Sequence, residues 1–271
     1  MAGGAMKENR YVFDNAVTAE TGMRFSGLEA TFDPATIGYL TGVGVTDGWA
    51  CWEIGAGGGS IASWLAKQVG PTGSVLATDI DPRFIPASEL AHLEVVRHDV
   101  TADAIPEARY HLIHARLVLS HLPQRGDVMV RLVQALRPGG WLVVEDFSGA
   151  FQRGTEPVGP AEARFRKVHA ALGEFLARSN DDESDFASSL PHLLASLGLI
   201  DVGGEARVVF GRGGSAGARV MVAGLRQAGD RMIAAGLVDR PALDEAIAYL
   251  DTPSSVVSMP TMVSAWGRQA G

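Results

Sequence analysis

The stretch Ala50-Cys51-Trp52-Glu53-Ile54-Gly55-Ala56-Gly57-Gly58-Gly59-Ser60 decides how this chain reads. Its first five residues form a short apolar run of strand length that passes straight into glycines, and from Ser60 to Val69 the residues Ile61, Trp64, Leu65 and Val69 fall at helical spacing. Strand, glycine loop and helix in that order make a ligand-binding device. Glycines at 55, 57 and 59 let the backbone turn tightly and approach a ligand closely, and the start of the helix offers free N–H groups to an anionic moiety.

Downstream of this loop the chain alternates strand and helix. Strands are expected at 74–78, 93–97, 110–115 and 141–145, with a helix over 128–136 closed by Arg137-Pro138-Gly139-Gly140. Such a rhythm with short connections gives an α/β fold with a doubly wound, mostly parallel sheet, whose carboxyl strand ends line one edge. Open sheets of this kind bind ligands at that edge. Upstream, Asp33-Pro34 reads as the start of a helix, Asp33 as N-cap and Pro34 as first helical residue. Beyond Phe147, helices are expected at 161–178, 184–197, 218–235 and 241–250. A strand is expected over 201–210, a flexible loop or hinge at 211–215 and a last apolar segment at 255–266.

Composition limits the partners. The chain has 271 residues, 31 acidic against 23 basic, and a formal net charge of −8. With no basic run, it lacks the clustered Lys and Arg that neutralise phosphates, so nucleic acid is not expected as a partner. No apolar run approaches the roughly 18 residues that cross a bilayer, and the opening Met1-Ala2-Gly3-Gly4-Ala5 lacks the features of a signal peptide. The expectation is therefore a cytoplasmic protein without a membrane partner. The single cysteine, Cys51, reads as a small core residue. The histidines show no ligand spacing, so no metal is expected. The 33 glycines, about one residue in eight, exceed the usual share of roughly 7%.

The choice of cofactor turns on acids at strand ends. Glu53 stands before the glycines, Asp79 ends the second strand twenty residues beyond Gly59, and Asp99 follows the third in Arg97-His98-Asp99-Val100. A carboxylate at the position of Asp79 can take two ribose hydroxyls, and one at Asp99 can accept from an adenine amino group. Taken singly, each acid is an ordinary solvated strand-end group. A dinucleotide fingerprint wants G-x-G-x-x-G/A, and the register from Gly55 puts Ser60 in its third place. Glu53 also stands where dinucleotide folds keep an apolar residue.

Over most of residues 49–147 the sequence resembles the class I S-adenosylmethionine-dependent methyltransferases, and more broadly the bacterial small-molecule enzymes of that class. E-I-G-A-G-G-G-S is similar to their first motif, L-A-T-D-I-D-P to their second and R-H-D-V to their adenine segment. H-L-I-H-A-R-L-V-L-S-H-L-P and L-R-P-G-G-W-L-V-V-E-D are similar to their fourth and fifth strands. The resemblance implies a Rossmann-like seven-stranded sheet with helical lid insertions, in one domain over 1–271. Its parts are an N-terminal lid segment at 7–48, a cofactor core at 49–147, helical insertions at 148–200 and 211–252, and a final strand in 253–271.

The same resemblance implies S-adenosyl-L-methionine as cofactor, with S-adenosyl-L-homocysteine as product, and site roles to go with it. Gly55 and Gly57 would hold the methionine part with Glu53 organising the loop. Asp79 would bind the ribose, Ile80 pack on the adenine, and Asp99 and Val100 read its edge. Ala115 and Arg116 would line the pocket below the sulfonium, with Arg24 at the cofactor and Tyr11 toward the methionine end or the acceptor. His121 is the preferred general base, its bland alternative being a buried histidine that pins a loop, and Glu145 and Asp146 are secondary candidates.

The expected reaction is in-line methyl transfer, driven mainly by proximity, to a small-molecule natural product. The weaker readings are a methyltransferase fold serving as a cyclase or binding module, and a nicotinamide-dependent oxidoreductase. The amphipathic helices after residue 147 suit either a roof over the site or a homodimer interface.

Overall fold

The computed structural model describes residues 18–149, 156–179 and 185–271. Its centre is a seven-stranded sheet in the order β3-β2-β1-β4-β5-β9-β6. These strands are β1 (Ala50–Ile54), β2 (Ser74–Asp79), β3 (Leu93–Arg97), β4 (Tyr110–Arg116), β5 (Leu136–Ser148), β6 (Ile200–Arg207) and β9 (Thr261–Arg268). The first five pair in parallel and the last two antiparallel, as the alternation of elements requires. Chain order reverses between β1 and β4, which makes their carboxyl ends the switch point where open sheets bind ligands.

Strand alternation divides the core in two. Trp52, Ile54, Ile113, Ala115, Leu142 and Val144 face one way, into a cluster closed by α3 (Arg125–Ala135) and α5 (Phe186–Ser196). Cys51, Leu112 and Val143 face the other, against α2 (Ser60–Val69) and Leu40 of α1 (Thr18–Gly42). Burial pushes the Cys51 thiol up to about 12, so it stays an unreactive core group.

A third cluster builds a helical cap from α1, α4 (Pro160–Ser179), α6 (Ala216–Ala234) and α7 (Arg240–Asp251). Phe147 and Leu117, which lie at the carboxyl ends of β5 and β4, pack against it. The cap therefore meets the sheet at the carboxyl ends of β4 and β5.

Four expectations are corrected. α1 does not start at Asp33 but runs from Thr18, with Pro34 inside it. Packing overrides the local signal: Leu28 and Phe32 are buried in the cap before the proline and Leu40 in the core after it. Asp33 spends its carboxylate on Arg116 rather than on a cap. The strand expected over 201–210 is two strands, β6 and β7 (Phe210–Arg212), and β7 pairs with β8 (Val256–Ser258) in a small separate sheet. The loop at 211–215 is thus partly ordered as strand rather than a hinge. β5 also begins five residues earlier than expected, at Leu136 rather than after the glycines.

Candidate active site

The glycine loop joins β1 to α2 in the way its composition demands. Gly55 and Gly57 hold φ values of +63° and +55°, where a side chain is strained. A Cβ on Gly55 would run into Cγ2 of Val118, and one on Gly57 would come within 3.1 Å of the Phe25 ring. The loop is sandwiched between α1 and the segment after β4. Its position is fixed from the next strand, because the Gly57 N–H donates to Oδ2 of Asp79 at 3.0 Å. Burial raises the Asp79 carboxyl above the usual range, against the backbone donors of Asp81 and Gly57.

A cleft opens over this loop. Of the residues expected in a site, Arg24, Glu53, Gly55, Gly57, Asp79, Ile80, Asp99, Val100, Arg116 and His121 all line it. Ala115 does not: it is buried in the cluster under α3, since strand alternation sends it to the opposite face from Arg116. Tyr11 lies outside the described residues. Phe25, Leu28 and Glu29 of α1, with His98, Leu117 and Val118, also line the cleft without having been singled out from sequence. The α1 residues were hidden because the helix was expected to start after them. Leu117 takes φ +58°, a strained conformation no composition signal announces.

Beneath the cleft runs a buried polar chain. Nδ1 of His114 lies 2.7 Å from Oε2 of Glu53, its register partner on β1, and Nε2 lies 3.9 Å from Oε2 of Glu145. Glu145 accepts from Thr36 of α1 at 2.5 Å and from Ser264 of β9 at 2.9 Å. Arg116 donates to Thr36 and pairs with Asp33, both at 2.8 Å. Burial alone would lower the His114 imidazole, but the Glu53 charge and the contacts with Glu145 outweigh it and raise it to about 9. Burial presses the Glu145 carboxyl up, yet His114, Arg116 and Thr36 together leave it below its ordinary value.

On the other face, Asp146 is 1% exposed and is pushed up to about 6 by burial, against hydrogen bonds from Ser120 and the Phe147 N–H. Its bonds to the Ser120 backbone and hydroxyl, 3.0 and 2.7 Å, pin the short turn Leu119–His121. Neither Glu145 nor Asp146 lines the cleft. His121 does, and burial together with the nearby Arg24 charge lowers its imidazole to about 4. It is neutral near pH 7.

Residues 52–142 match the sequence model of a methyltransferase domain. The stretch from Trp52 to Leu142, which carries β1 to β4, the glycine loop and the first half of β5, is therefore similar to a methyltransferase domain. It is 39% identical over 153 residues to methyltransferase str2 of the fungus Strobilurus tenacellus, covering 55% of this chain and 53% of that one. It is 26% identical over 158 residues to the ubiquinone/menaquinone biosynthesis C-methyltransferase UbiE of Laribacter hongkongensis, covering 56% and 63%. The chain spans about half the length of the first curated relatives it matches.

Among solved structures, the fold is similar to phosphoethanolamine N-methyltransferase 2 of Haemonchus contortus in complex with S-adenosyl-L-methionine. The TM-score is 0.60 at 13% identity, over 99% of this chain and 61% of that one. A putative methyltransferase of Bacillus halodurans has a TM-score of 0.54 at 17% identity, over 88% of this chain and the whole of that one. Among the described residues no group of three or more His, Cys, Asp or Glu could hold a metal ion, and no helix is long and apolar enough to cross a membrane.

Proposed function

We propose that the protein transfers a methyl group from S-adenosyl-L-methionine to an apolar small-molecule acceptor of the natural-product kind. The observation that carries this reading is the convergence of Glu53, Asp79, Asp99 and the strained glycines on one cleft inside the methyltransferase domain. The cleft suits the cofactor's parts in order. Ile80, exposed by 43%, and Val100 offer apolar surface to a base beside the Asp99 carboxylate. Asp79 stands where ribose hydroxyls would donate, and the Gly55–Gly57 backbone with Arg24 and Glu29 suits a zwitterionic amino-acid end.

Bound S-adenosylmethionine would supply an activated methyl group: the methyl–sulfur bond breaks with its electron pair left on sulfur, while the methyl–acceptor bond forms. The chain's own task is alignment and exclusion of water, worth several powers of ten in rate. Leu28 and Leu117 line the cleft and also belong to, or pack on, the cap core, so the acceptor side is apolar. That side supports an apolar acceptor. Titration with S-adenosylhomocysteine should raise the thermal midpoint by several degrees. Stabilisation by NADH with no response to S-adenosylhomocysteine would end this reading.

His121 is the cleft residue suited to accept a proton from an acceptor hydroxyl, being neutral at working pH. Its low basicity suits it to an acceptor whose proton leaves late, as the methyl arrives. His121→Ala should cut turnover about 10²-fold with the affinity for S-adenosylhomocysteine unchanged. A loss under threefold, measured with labelled methyl, would leave His121 a structural residue.

A further inference from the structure

We infer that His114 is a positioning residue for the cofactor, a buried cation that fixes Glu53 under the glycine loop and ties the floor of the cleft to its roof. The inference rests on the cleft being the S-adenosylmethionine site. Glu53 is 4% exposed and lines the cleft, yet its only ion-pair partner among the described residues is His114. Without a cation there, a carboxylate would sit buried on a strand between apolar neighbours, where an unpaired charge is costly.

His114 is itself fully buried and reaches the cleft only through Glu53. Its Nε2 has no hydrogen-bond partner, since Glu145 lies 3.9 Å away, too far for a hydrogen bond but close for a charge. An imidazole kept only for packing or for one hydrogen bond would gain nothing from leaving that nitrogen unsatisfied between strands. An imidazolium between two carboxylates would.

The chain of contacts does not stop at Glu145. Through Thr36 and Asp33 it reaches the middle of α1, and Arg116, which lines the cleft, closes the loop. The half of α1 before Pro34 carries Arg24, Phe25 and Glu29 over the glycines. One charge network thus sets both the carboxylate below the ligand and the seat of the helix above it. A change at His114 should therefore be felt as cofactor affinity, although the residue contacts no ligand.

The test is a double-mutant cycle on S-adenosylhomocysteine affinity, measured by calorimetry on full-length protein. His114→Gln and Glu53→Gln should each weaken binding about tenfold or more, and the double variant should be no worse than the weaker single, because both act through one pair. Binding by folded His114→Gln within threefold of wild type, or fully additive losses, would overturn the inference while leaving the cofactor reading intact. Failure of the wild-type chain to bind S-adenosylhomocysteine would overturn the cofactor reading and the inference with it. Nitrogen-15 NMR of the wild-type histidines decides the case if His114→Gln does not fold. One buried ring should stay an imidazolium up to about pH 9. A His114 ring already neutral at pH 7 would sink the proposal.

Discussion

Gly55→Ala is expected to abolish measurable binding of S-adenosylhomocysteine, weakening it at least 100-fold. Two costs coincide at this residue. Its φ of +63° forces an L side chain into the left-handed region, at about 1–2 kcal/mol. The new methyl would also run into Val118, which cannot simply turn aside, because it stands between strained Leu117 and the turn that Asp146 pins through Ser120. Relief must come from moving the loop itself or the segment carrying Leu117 and His121, and both line the cleft.

Gly58→Ala provides the contrast. Gly58 is not in the left-handed region, and the first atom an added methyl meets is the flexible carboxylate end of Glu29. That variant should lose less than about tenfold in affinity. Calorimetry on the two proteins side by side checks the argument. Binding by Gly55→Ala within fivefold of wild type would mean that the loop tolerates what its geometry forbids.

Much of this site was legible because its chemistry is local in sequence. The glycine loop follows β1 directly, and the acids at 53, 79 and 99 lie at or just past strand ends that apolar runs mark out, so counting residues was enough to bring them to one edge. What escaped depended on pairing across the fold. Glu53 and His114 are 61 residues apart, and only the β1–β4 register makes them neighbours. His111 and His114, three residues apart on β4, fall on opposite faces, but nothing local distinguishes the face with a carboxylate.

α1 was misread for a related reason. Covered by the cap over its first half and by the sheet over its second, it has no single apolar stripe, and its strongest local signal, Asp33-Pro34, marks the junction between the two rather than a beginning. Ala115 was placed in the pocket by resemblance to a family segment. A count of two-residue alternation from Arg116 sends its side chain to the other face, which is legible from sequence.

The largest effect on stability is expected from Glu145→Ala. Glu145 is 1% exposed and holds hydroxyl donors from Thr36 and Ser264 while facing His114 and Arg116. Its removal leaves two buried hydroxyls without their acceptor and strips the network of a negative charge between two cations. Breaking a buried ionic cluster at one member costs about 3–5 kcal/mol, which for a chain of this size lowers the thermal midpoint by roughly 10 °C. Glu145→Gln keeps an acceptor oxygen but not the charge, and should cost about half as much.

The charge argument has its own test in Arg116→Met. The Arg116 side chain is 11% exposed, so its charge is largely desolvated. Once Glu145 is gone, Arg116 is still offset by Asp33, but no carboxylate separates its charge from the His114 imidazolium any longer. Removing both partners should therefore cost clearly less than the sum of the single losses, with a coupling of about 1 kcal/mol or more in chemical denaturation. Strict additivity would assign the loss at Glu145 to its hydroxyl partners alone. A drop in midpoint below about 2 °C for Glu145→Ala would show that water enters the site and that the chain of contacts under the cleft is no dry network.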